Sequence, residues 1–415
     1  MSERLSRWLP IALAVALIGY AATSGTALAQ VPEGRYKQVH AFTPAEGEQP
    51  TGRLLVLPDG RVVGTASFGG EFGLGTLYQL KPGTGTFEVL HSFAGGDDDG
   101  ASPVAGLVAG PDGNLWGVTQ FGGKDDAGTI YRLQPDGRVH IVHMFGKDRR
   151  GGRAPVAALT LASDGLLYGT TQEGGPNGFG TVFRLESDAS VTILWGMSVG
   201  GPVTPTAPLL QASDGLLYGT SVEGGSAGLG TLFSLAPDGT GQRVLVSFTG
   251  TDGLGPRGGM IEASDGLLYG ATNKGGKFNC GAVYRLARDG SGYTVIHSFT
   301  TRHQEAFNPF GELLETSPGV FLGTSTQGGH RGEGTVYQVL SSGKFTSVYE
   351  FTARRRAGYI DGSTPATTLT LAGDGSVIGV TQSGGAAGDG TIFRMRPRQG
   401  DGRHPEDGLR AEGAP

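Results

Sequence analysis

Histidine, tyrosine and arginine gather in one part of this chain. His330, Arg331 and Glu333 share one glycine-rich loop, and Arg354, Arg355, Arg356, Tyr359 and Asp361 follow in the next long polar stretch. A histidine or tyrosine base beside a guanidinium is what a lyase needs to take the proton next to a uronate carboxylate. His330 and Tyr359 are therefore the catalytic candidates. The same arginines, with Arg149, Arg150, Lys274 and Lys277 from earlier loops, would form a cationic patch on a protein of net charge −6. Such a patch suits a carboxylated or sulfated polysaccharide. Arg149, Lys274, Arg331, Arg354, Arg355 and Arg356 are the ligand-binding candidates. Solvated loop charge is the simpler account of every one of them.

Other reactive-looking residues read as structure. His40, His91, His143 and His297 hold one repeat position, which Trp195, Val246 and Tyr349 fill in the other copies. A position that takes tryptophan and valine is a packing position, and no HxH or HExxH spacing points to zinc. Asp97-Asp98-Asp99-Gly100 is dense in carboxylate, and calcium is a possible ligand there, but the run lacks the alternating ligands of a calcium loop. No other metal or cofactor is expected. GMSVG around Ser198 and GGSAG around Ser226 match a nucleophile pattern, yet neither precedes the helix that pattern requires. The glycine-rich loops lack the Gly-Lys-Ser/Thr of a phosphate cradle. Cys280 is the only cysteine, so no intrachain disulfide exists, and it reads as a small buried residue.

The elements that position these loops come from a repeat. ASDGLLYGTTQEGGPNGFGTVFRL, Ala162–Leu185, recurs at about 50-residue spacing. Seven prolines (Pro50, Pro103, Pro155, Pro205, Pro256, Pro309, Pro365) are each followed, nine residues on, by Asp-Gly, or by Pro318-Gly319 in the sixth copy. Asp-Gly between apolar stretches signals a hairpin. A strand follows (LLYGTT and its relatives), then a Gly-Gly loop, then a second strand (GTVFRL and its relatives). A further short strand closes each unit, as in FEVLHSF or YTVIHSF. No helical period occurs. Each unit is four short strands, called a to d from the proline onward, which is one blade of a β-propeller.

Copies of d begin before the first a, at Lys37–Phe42, and the chain stops after the seventh c. The expected fold is therefore an all-β, seven-bladed propeller over residues 30–397, closed by its N-terminal strand. A linear solenoid is the alternative, and it would leave that first strand unpaired. The glycine inside each strand b is expected where neighbouring blades approach closely or the backbone turns to positive φ. The a–b and c–d turns should lie on one face. The longer, variable b–c and d–a loops should ring the channel mouth on the other, where any site would sit.

The unit D-G-x-L-Y-G-T-T-x-x-G-G-x-x-G-x-G-T-V-F, with its VLHSF-like strand, resembles the GloVer tandem repeat of exported bacterial proteins, over about residues 36–397. That resemblance implies an extracytoplasmic, propeller-like repeat protein and transfers no catalytic residue. Members carry different surface anchors, and none is recognisable here. Cys280-Gly281-Ala282 and Pro318-Gly319 depart from the pattern. Export also follows from residues 1–29: Arg4 and Arg7, the apolar Trp8–Ala22, and Ala27-Leu28-Ala29 form a signal peptide. Residues 398–415 lack apolar periodicity and read as a disordered tail. An acidic chain with no long basic run excludes nucleic acid as a partner. A monomeric binding scaffold for a glycan or an extracellular protein is the first functional expectation. A lyase or glycoside hydrolase acting on acidic polysaccharide is the second.

Overall fold

Seven sheets of four antiparallel strands stand in a ring. The computed structural model describes residues 36–81, 85–146, 151–302, 305–356 and 359–396, and for 355, 356 and 359 the backbone alone. The expected signal peptide and tail lie outside the described residues. Blade 3 shows the pattern: Thr160–Leu161, Leu167–Thr171, Thr181–Leu185 and Val191–Gly196 pair in chain order. Blade 6 has the longest inner hairpin, Ala306–Ser317 with Val320–Gly328. The seventh blade takes its outer strand from the other end of the chain. Tyr36–Ala41 pairs antiparallel with Thr391–Met395.

Each gap between neighbouring blades holds its own core, because a sheet buries a face only against another sheet. The residue just after each outer strand enters the next gap. Phe42, Phe93, Phe145, Met197, Phe248, Phe299 and Phe351 are all at most 1% exposed. Six of these seven side chains, all but Met197, meet the strand-c aromatic of the following blade, as Phe93 meets Tyr131 with centroids 5.2 Å apart. Phe42 meets Tyr78 in this way and joins the two ends of the chain. Fully burying one such side chain contributes about 1.5–3 kcal/mol.

The strand-b glycines have a different cause from the two expected. They lie at ordinary φ and face their own blade rather than the next one. Gly169 pairs with Phe183, and an added Cβ would come 2.5 Å from that ring. Gly64, Gly117, Gly219, Gly270, Gly323 and Gly379 meet their cross-strand tyrosine or phenylalanine in the same way. The missing side chain is the space the aromatic occupies.

Glycine is required again where blades join. The glycine before each strand c has φ near +100°, and the proline of the next blade packs on its Cα. At Gly390, with φ +107°, an added Cβ would meet Pro50 Cδ at 2.6 Å and Thr381 O at 2.3 Å. The residue before each proline is also turned to positive φ. Gln49, Ser102, Ala154, Thr204, Asn308 and Thr364 span +52° to +57°. That conformation costs about 1–3 kcal/mol for a non-glycine residue. Hydrogen bonds to both sides offset it: Ser102 donates its N–H to Leu74 O of the preceding blade (2.8 Å), and its carbonyl accepts from Gln120 N–H (2.9 Å).

Candidate functional site

The b–c and d–a loops share one face, and five of the d–a loops are latched by a carboxylate, from Glu46, Asp99, Asp252, Glu305 or Asp361. Asp99 accepts from the Ala94 and Gly100 amides and faces His91 Nε2 at 3.0 Å. Burial pushes the Asp99 carboxyl up, but these hydrogen bonds outweigh it and hold it below the ordinary range. Glu46 serves His40 and the Thr43 amide likewise. Burial lowers the His40 imidazole, with Glu46 opposing. In the blade 6–7 loop the latch is Asp361, fully buried, which accepts from Tyr349 Oη (3.1 Å) and from the Thr352 amide (3.0 Å). Two strand-d histidines also stack, His40 on Phe87 with centroids 4.1 Å apart and His297 on Phe345 at 5.0 Å, while His91 and His143 meet Phe93 and Phe145 edge-on. They are packing and latch groups, and Asp99, from the acidic run, is a structural acceptor. Among the described residues, no three His, Cys, Asp or Glu side chains group to hold a metal.

The remaining candidates fall at separate stations. Lys274, Arg331 and Arg354 are exposed, on the loops of blade 5, blade 6 and the blade 6–7 junction. His330 folds outward instead. Its Nδ1 lies 2.5 Å from Glu350 Oε2 on the outer strand of its own blade, and its amide donates to the same oxygen at 2.9 Å. Arg355 and Arg356 pair in a small hairpin with Tyr359 and Ile360. Arg149 and Arg150 lie outside the described residues. The loops also expose Phe68 (45%), Phe72 (52%), Phe121 (40%) and Phe278 (43%), which sequence reasoning missed. Phe68 and Phe121 occupy one repeat position, just before the Gly-Gly pair, so the signal was present.

The axial channel is a cavity of about 1680 Å³, bounded by the innermost segments of the seven blades and reaching both faces. An in-and-out alternation along the segment after each proline decides its lining. The second and fourth residues after each proline, such as Ala157 and Leu159, turn into the cores, and the first and third, such as Val156 and Ala158, stay open to the lumen. Most of these lumen residues are apolar or small: Val104, Val156, Phe310, Gly106, Ala158, Gly259. Arg257 at the first position, and Arg53 and Glu312 at the third, are the ionisable ones. Glu312 donates its amide N–H to Thr368 Oγ1 (2.9 Å) and lies across Gly259, where an added Cβ would meet Oε1 at 2.6 Å. It touches the lumen yet is surrounded by protein. Burial therefore raises its carboxyl above the ordinary range, and Arg53 opposes this. None of His330, Arg331, Lys274 and Arg354 lines the channel.

A family model described as the Gloeobacter/Verrucomicrobia repeat matches residues 13–211 and again 189–393. The chain belongs to the Gloeobacter/Verrucomicrobia repeat family. Its two matches follow one another along the chain and, from residue 36 onward, fall on the ring of blades. No curated protein matches the chain. Among solved structures, an oligogalacturonate lyase from Vibrio parahaemolyticus aligns with TM-score 0.55 and 10% identity, over 86% of this chain and 92% of that one. An oligogalacturonate lyase in complex with manganese aligns with TM-score 0.56 and 12% identity, over 88% and 93%. A periplasmic gluconolactonase from Pseudomonas aeruginosa reaches TM-score 0.49 at 16% identity, over 81% and 96%. At these identities the likeness of this repeat-family chain to the lyases is one of fold.

Proposed function

We propose that this repeat-family chain is an exported binding protein that takes a glycan or an extracellular protein on its b–c/d–a face. The observation that carries the reading is the coincidence there of three features: variable loops, exposed side chains that break the repeat, and the mouth of a channel through the whole ring. The inner strands and Asp-Gly turns repeat closely, as a scaffold does. Exposed phenylalanines on the same face as Lys274, Arg331 and Arg354, Phe278 in the same loop as Lys274, supply apolar and cationic groups, which suits the faces and acid groups of a sugar chain. Export rests on the apolar Trp8–Ala22 and on Ala27-Leu28-Ala29.

The test is retention of the purified chain on immobilised acidic and neutral polysaccharides. The Lys274→Ala/Arg331→Ala/Arg354→Ala variant should bind acidic polysaccharide at least about tenfold more weakly, the equivalent of about 1.4 kcal/mol. Wild-type retention on no matrix would overturn the glycan form of the reading. Because two structural neighbours are oligogalacturonate lyases, the same eluates are read for new unsaturated ends. Their appearance would replace binding by lyase chemistry.

A further inference from the structure

We propose that the axial channel is itself a ligand site, in which Arg53 and Arg257 hold the carboxylate of an acidic sugar. The inference rests on the binding reading above and moves the decisive contact from the loops into the lumen. Arg53 belongs to the inner strand of blade 1, Glu48–Val56, and Arg257 to the segment that leads into the inner strand of blade 5, Ile261–Glu262; both residues are exposed and line the channel. Among the described residues neither guanidinium has an ion pair, whereas Arg394, at the far end of the same channel, is bound to Asp374 at 2.7 Å. Two unneutralised guanidinium groups in one cavity make a site for an anion. The wall decides which anion. Val104, Val156, Ala158, Pro208 and Phe310 give it an apolar surface, and Thr51, whose hydroxyl meets Ser67 Oγ at 3.0 Å, adds a hydroxyl. An inorganic anion leaves that surface wetted and unused. A uronate brings a carboxylate, apolar C–H faces and hydroxyls together.

Glu312 sets the pH response. Arg53 faces it from blade 1, Gly259 underlies it from blade 5, and Thr368 binds its amide from blade 7. Arg257 stands two residues before Gly259 in the segment leading into the blade 5 inner strand and is the other charge in this part of the lumen. An ionised Glu312 repels a bound carboxylate and competes for Arg53. A protonated Glu312 does neither, and it can donate a hydrogen bond to the ligand. Its raised pKa means that protonation begins at a pH where a sugar acid is still ionised. Binding therefore tightens as pH falls through the Glu312 titration.

The experiment is titration calorimetry of the full chain with trigalacturonate, with succinate, inorganic phosphate and maltotriose as parallel probes. Trigalacturonate should bind, with maltotriose and phosphate at least about tenfold weaker. Arg53→Ala and Arg257→Ala should each weaken trigalacturonate about tenfold or more, while Arg53→Lys keeps part of the affinity. Glu312→Gln should remove the gain toward low pH. Melting curves establish that the variants are folded. Unchanged affinity in both arginine variants, with loss in the Lys274→Ala/Arg331→Ala/Arg354→Ala variant, would overturn the channel site and leave the loop-face reading standing. Equal binding of phosphate or succinate would overturn the acidic-sugar class. No heat from any carboxylate would overturn the channel site outright, and loop-face binding to immobilised polysaccharide would then be judged on its own.

Discussion

Thr272 carries a buried hydroxyl with no hydrogen-bond partner. In five other blades the equivalent Thr or Ser shares a buried hydrogen bond with the first residue of strand c, as Thr171 does with Thr181 at 2.8 Å. In blade 5 that residue is Ala282. Ala282→Thr should therefore raise stability by about 0.5–1.5 kcal/mol in denaturant titration. Thr181→Ala should cost a similar amount or more. Tyr168 makes the complementary case. Its hydroxyl donates to Asp164 Oδ2 at 2.6 Å. Burial first, then this bond, pushes its pKa up to about 12, against about 10 in an unfolded chain. The folded state holds the proton more tightly, so stability is fully present below about pH 10 and falls as pH rises toward the folded value. Tyr168→Phe should melt lower at neutral pH, and its melting temperature should fall less steeply between about pH 9.5 and about pH 11.5.

At the scale of the strand, the pairing of glycine with an aromatic is one unit written in two places. Gly169→Ala drives a Cβ against Phe183 and Leu159 Cδ2, and overpacking of that kind costs about 1–3 kcal/mol. Phe183→Leu alone leaves part of the gap between blades 2 and 3 unfilled. The double variant should lose less than the sum of the singles, because the smaller ring position receives the new methyl. Strict additivity in urea melts would refute the pairing. This pair was half legible in sequence. The fixed glycine and the fixed aromatic were both visible, but which of them answered the other depends on register, and the strand pairing alone supplies that. The latch residues were hidden for the same reason. Asp361 reads as one more loop carboxylate until the d–a loop folds back and buries it among amides.

For the whole molecule, closure is the stabilising event. Tyr36–Ala41 completes the seventh sheet, and Phe42 fills the gap between blades 7 and 1. Deleting residues 36–42 should cost more than about 3–5 kcal/mol, the usual loss for a single buried phenylalanine cut to alanine. It would also bare the edge of Thr391–Met395, so light scattering should report association at concentrations where the intact chain stays clear. A deletion that melts like the intact chain would contradict closure through this strand.

The sequence by itself determined the unit, its number and the way the ends meet. Those depend on local chemistry: Asp-Gly turns, period-two strands and a proline at each entry, repeated seven times. It also marked the loops where the repeat breaks. The tertiary structure alone decided what the channel contains. The third residue after the proline is Gly106, Ala158 and Gly259 in three copies but Arg53 and Glu312 in two others. That break is as visible as the loop arginines. Its meaning is not, since Arg53, Arg257 and Glu312 lie in three repeats far apart along the chain. Only closing the ring turns all three toward one axis, takes them partly out of water, and gives their charges the same space.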